Sequence, residues 1–98
     1  MYAGILELDI LLGDVRSLKQ KRAVVRPLVN ELRRTYTVAA AEAGHLDLHR
    51  RAMIGVATVA GTAAHCGEVL DAVERFVAER PELELLSVRR RLIGEEDE

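Results

Sequence analysis

Aromatic side chains are scarce in this chain. Its 98 residues include no tryptophan, one phenylalanine (Phe76) and two tyrosines (Tyr2, Tyr36). A core must therefore be built from Leu, Val, Ile and Ala. Cysteine is scarcer still. Cys66 stands alone, which excludes an internal disulfide and any cysteine-rich zinc site. No run of about 18 apolar residues occurs, so no helix is expected to span a membrane. The apolar start of the chain alternates and has no basic leader before it, unlike a signal peptide. A reducing, cytoplasmic compartment is the expectation. A glycine-rich phosphate loop is missing, and no serine has a base at a plausible spacing. No cofactor is implied, and an enzyme is less expected than a binding protein.

The composition that remains is globular, with 49% apolar and 31% charged residues. A single domain over residues 1–94 is expected, followed by an acidic tail of Glu95, Glu96, Asp97 and Glu98. Residues 2–12 alternate as a strand does. Gly4, Leu6, Leu8, Ile10 and Leu12 share one face, and Ala3, Ile5, Glu7, Asp9 and Leu11 the other. Ser17 and Gln20 carry the spacing of a helix capping box. After them Leu18, Val25, Leu28, Val29 and Leu32 form an apolar helical stripe. Pro27 interrupts this stretch, and a bend is favoured over a break. Residues 37–43 and 51–60 read as strands, and Cys66, Val69, Leu70, Val73, Phe76 and Val77 mark a second helix. Residues 83–93 read as the last strand. The order strand, helix, strand, strand, helix, strand is that of an α+β, ferredoxin-like βαββαβ sandwich. Two helices would cover one face of a four-stranded antiparallel sheet.

The open sheet face would then be apolar rather than polar. Ala39, Ala41 and Ala43 with Met53, Gly55, Ala57 and Val59, or the opposite parities of the two strands, leave apolar surface on either side, and Ile5 and Leu11 add to it. A contiguous apolar patch on so small a domain points to an interface. A homodimer through that face is expected, with a protein-only adaptor as an alternative. The same face lacks the aromatic platform on which RNA bases stack.

Charge is uneven. Net charge is -2, yet residues 15–34 hold seven basic side chains against the single acid Glu31. At about 100° per residue, Lys19, Arg22, Arg26 and Arg33 fall within an arc of roughly 60°, and Arg34 flanks them. Such a row of long cations with no interleaved acid suits contacts to phosphates. RNA or a ribosomal subunit is the expected partner. Lys21 falls near the apolar stripe instead, and Glu42 is its candidate partner. With His45, Asp47 and His49 these two residues form an alternative site, for a small enzyme or a ligand-binding dimer. The alternation of His45, Asp47 and His49 also suits a metal geometrically, but its specificity is low and no metal is assigned.

Two stretches carry a family resemblance. Ser17-Leu18-Lys19-Gln20-Lys21-Arg22 is followed by Val24-Val25, and Ala41-Glu42 by His45, Asp47, Leu48 and Arg51-Ala52. Together they resemble the YlxP-like family of bacterial proteins over residues 2–93. The resemblance implies the same ferredoxin-like fold. Members are often encoded beside translation-initiation and ribosome-maturation factors, which implies a ribosome-linked role. This chain departs from the family pattern at Gly44, where an acid is common, and at His49, where a bulky aromatic is common.

Overall fold

The computed structural model describes residues 1–94; the acidic tail at 95–98 lies outside the described residues. Strand β1 spans Tyr2–Leu12, helix α1 Leu18–Thr35, β2 Ala39–Gly44 and β3 Arg51–Ala60. Helix α2 spans Ala63–Ala78, and β4 spans Leu83–Gly94. The strands pair antiparallel in the order β2-β3-β1-β4. This is the ferredoxin-like α+β fold. Both helices lie on one face, where Leu6, Leu8, Ile10 and Leu12 of β1 are wholly buried with Ala52, Ile54 and Val56 of β3. Val25, Leu28 and Leu32 reach the same core from α1, and Leu70, Val73 and Val77 from α2. Gly4 gives α2 room where it crosses β1, because a Cβ there would stand 2.9 Å from Leu70 Cδ1 and force that side chain to shift.

Helix α1 begins as its sequence dictates. The Ser17 hydroxyl accepts a hydrogen bond from the Gln20 N–H at 3.1 Å. The Gln20 side chain reaches back to the Arg16 N–H at 2.6 Å, one residue before the usual capping-box donor. Helix α2 is capped in the same way by Thr62, which accepts from the His65 N–H. Pro27 does not break α1. It sits on the exposed face, where water can satisfy the carbonyl its missing N–H leaves free. The ladder of β2 begins two residues later than the pattern predicts. Thr37 spends its carbonyl on the Thr58 hydroxyl, and the Val38 N–H bonds to Tyr36. Tyr36 and Phe76 pack edge-to-face at the helix ends, and the Arg80 guanidinium lies 4.6 Å from the Phe76 ring centre.

Each sheet edge carries a guard against strand pairing with another chain. On β2, Arg33 Nε donates to the Ala40 carbonyl at 2.9 Å. On β4, Arg89, Arg90 and Arg91 stand in succession. Self-pairing centred on them would set like charges opposite each other.

Replacing Ser17 by Ala is expected to lower stability by about 1 kcal/mol, as loss of a helix cap does. Urea unfolding followed by circular dichroism measures this.

Candidate functional site

Two groups of residues meet at the start of α1, one facing inward and one outward. Lys21 faces inward and is only 2% exposed. Its Nζ donates to the carbonyls of His45 (2.7 Å) and Leu48 (2.8 Å). Glu42 Oε2 lies 2.7 Å away and supplies the opposing charge. The alternation of β2 explains this meeting, because Glu42 shares the helix-facing side with buried Ala40. A buried ammonium is tolerated when its protons and its charge find partners; here two carbonyls accept its protons and the Glu42 carboxylate opposes its charge. The ion pair expected from the sequence is therefore present. It also holds something the sequence did not signal, the turn between β2 and β3.

That turn is strained at His45, whose φ of 57° is left-handed. The conformation is held because the His45 carbonyl accepts from both Lys21 Nζ and the Leu48 N–H. The His45 ring lies on the opposite side, with Nε2 3.4 Å from Asp9 Oδ1. Arg51 grips Asp9 with two bonds, Nε to Oδ1 at 3.2 Å and Nη2 to Oδ2 at 2.7 Å. This fork holds the Asp9 carboxyl below its ordinary pKa, and the charges of Arg51 and His45 add to the effect against partial desolvation. Arg50 closes the loop by donating to the carbonyls of Leu12 and Gly13. The loop is thus pinned at both ends. Its Leu46 and Leu48 side chains nonetheless stay in solvent.

The sequence-derived ligand set is only partly assembled. Lys21, Glu42 and His45 come together, the last through its carbonyl. Asp47 and His49 remain exposed and do not join them. Among the described residues, no three His, Cys, Asp or Glu side chains gather as a metal site would require. Cys66 is buried and donates weakly to the Tyr2 carbonyl. Asp9 was missed as a site residue. The signal available was an acid beside Glu7 on a mainly apolar strand, but its partner Arg51 is 42 residues away and no local spacing reveals it.

The outward group is the basic row. Lys19, Arg22, Arg26 and Arg34 are exposed. Lys19, Arg22 and Arg26 border a shallow depression of about 460 Å³ floored by Ala23 and Pro27. Arg33 stands apart from them. It is exposed, but its guanidinium is held against β2 and against Asn30. Glu31, the single acid of α1, is turned to Arg80 beyond α2.

Two predictions follow from the inward group. Lys21→Met is expected to destabilise the fold by about 3–5 kcal/mol, because it leaves the Glu42 carboxylate without its opposing charge and the Leu48 carbonyl without its donor, and takes one of two donors from the His45 carbonyl. Hydrogen exchange should show residues 45–50 opening with it, and adding Glu42→Gln should restore part of the loss. The Asp9 fork gives a pH dependence. A carboxyl whose pKa falls on folding stabilises the protein above its unfolded pKa near 4 and loses that contribution as pH falls further. Asp9→Asn should therefore be less stable than the parent at pH 7, and the gap should close as pH falls through the lowered pKa of folded Asp9, read in pH-dependent melting curves.

Comparison with known proteins identifies the family. A family model described as "Protein of unknown function (DUF503)" matches residues 3–90. The "Uncharacterized protein YlxP" of Bacillus subtilis (strain 168) is 30% identical over 81 residues, covering 83% of this chain and 88% of that protein. The matched span holds the capped start of α1, the Lys21–Glu42 pair and the pinned loop, and the chain belongs to the DUF503 family of YlxP-like proteins.

Proposed function

We propose that this protein is a non-enzymatic, RNA- or ribosome-associated accessory that holds the phosphate backbone of structured RNA on the exposed face of α1. One observation carries the reading. Six of the 14 Lys and Arg side chains meet a carboxylate: Arg16 meets Asp14, Lys21 Glu42, Arg51 Asp9, Arg80 Glu31, Arg89 Glu7, and Arg90 Asp71 and Glu74. Arg50, Arg75 and Arg91 lack a carboxylate partner among the described residues but stand outside α1, so α1 holds the largest unpaired group. Among the described residues, Lys19, Arg22, Arg26 and Arg34 have no such partner. Unpaired cations in a row along one helix keep their full charge for an external polyanion. Arg33 contributes less, since part of its guanidinium is committed to β2. The open sheet face is an unsuitable platform for bases, because among the described residues no aromatic side chain stands on it.

The protein is read as cytoplasmic. Among the described residues no helix is long and apolar enough to cross a membrane, and the buried lone thiol of Cys66 suits a reducing compartment.

Fluorescence anisotropy with a labelled structured fragment of ribosomal RNA tests the reading. Four phosphate contacts should weaken binding about 100-fold between about 50 and 200 mM salt. Charge reversal at Lys19, Arg22 and Arg26 together should abolish binding without lowering the melting temperature. Absence of binding at the lower salt, or equal binding by the reversed variant, would overturn it.

A further inference from the structure

The open sheet face is built as a ramp. The strand register aligns Ala39 of β2, Ala57 of β3, Ile5 of β1 and Arg91 of β4 in one row across the sheet. The next row runs Ala41, Gly55, Glu7 and Arg89. Both rows therefore begin with small side chains at the β2 edge and end with long cations at the β4 edge. At the low end, Ile5, Glu7, Ala39, Ala41, Ala43, Gly55 and Ala57 line a shallow, mainly apolar groove of about 360 Å³. Gly55 deepens it, because a Cβ there would press on Ala43 at 3.2 Å. At the high end, Arg89 reaches Glu7 only loosely, at 3.8 Å. Arg91 has no carboxylate partner among the described residues.

From this shape and charge we infer that the face binds a second copy of the same chain, about a two-fold axis that runs parallel to the strands. That axis lays the β4 edge of each copy over the β2 edge of the other. The partner's Arg89 and Arg91 then fill the alanine-lined groove with their aliphatic stems. Their guanidinium groups point toward Glu7 on the groove's wall. A two-fold axis perpendicular to the strands does the opposite. It stacks arginine on arginine and leaves the two grooves facing each other, empty. The face is self-complementary under the first operation and self-repelling under the second.

Size supports a second copy as the occupant. Strands rise about 3.4 Å per residue and lie about 4.8 Å apart, so a four-stranded face of ten-residue strands presents about 600 Å². Two such faces bury about 1,200 Å², the lower limit of a stable protein interface. The whole face is needed, which favours a partner of matching outline. The guarded edges of β2 and β4 leave the face as the route of association. The helices lie on the far side of each sheet, so both α1 surfaces remain free in the dimer. The inference does not depend on RNA binding.

Sedimentation equilibrium of the full chain at about 10–100 µM should give twice the 10.9 kDa chain mass. Arg89→Glu with Arg91→Glu should shift it to the chain mass while the melting curve of the monomer unit persists. Geometry is read by disulfide trapping. A mixture of Ala41→Cys and Arg89→Cys chains should cross-link with each other under mild oxidation, far more than either variant with itself. A monomer at 100 µM would overturn the inference and leave the face to a different protein. Efficient self-linking of Ala41→Cys would overturn the axis.

Discussion

Burying the Lys21 ammonium costs several kcal/mol of lost hydration, and three oxygens from two parts of the chain offset that cost. Much else depends on this contact. It fixes the rotation of α1 about its own axis, since a lysine turned inward at position 21 leaves positions 19, 22 and 26 turned outward. It ties the first turn of α1 to Glu42 on an edge strand that is otherwise made of small, weakly strand-forming residues. It also holds the β2–β3 turn in a conformation that includes a left-handed histidine. The Asp9–Arg51 fork secures the same turn from the other face of the sheet, so the loop is clamped through both sides.

The presence of two distinct exposed surfaces follows from the layer architecture. Two helices can cover one face of a four-stranded sheet and no more. The outer helix surface is free to carry unpaired cations, and the opposite sheet face is left uncovered, with small apolar side chains toward β2 and charged ones toward β4. Ionic partners elsewhere on the molecule neutralise most of the remaining bases. This separates a charged surface on α1 from a shape-defined surface on the sheet. The two surfaces lie on opposite sides of the molecule, so occupation of one leaves the other accessible.

Legibility in the sequence was greatest where a regular period met a buried surface. The alternation of β1 named every buried residue of that strand, and the stripe Val25, Leu28, Val29 and Leu32 named the inner face of α1. Ser17 and Gln20 marked the helix start because capping is a local interaction over three residues. Lys21 was visible as a cation at the edge of an apolar stripe, and Glu42 as an acid of the correct parity. The start of β2 was less legible, because alanine expresses little strand preference and the ladder alone decides where pairing begins.

Patterns of local spacing thus determined the element order, the core-facing positions, the cap of α1, the basic row, and the inward placing of Lys21 and Glu42 on their own elements. Each depends on a helical or strand period that a single chain segment contains. Only the tertiary structure decided that Lys21 would hold the carbonyls of His45 and Leu48, and that Arg33 would turn aside to Ala40. It alone paired Asp9 with Arg51 and set alanines and arginines at opposite ends of the same rows. Those contacts depend on register between strands and on closure of the helices over the sheet. Such relations arise between distant segments, and no period within one segment encodes them.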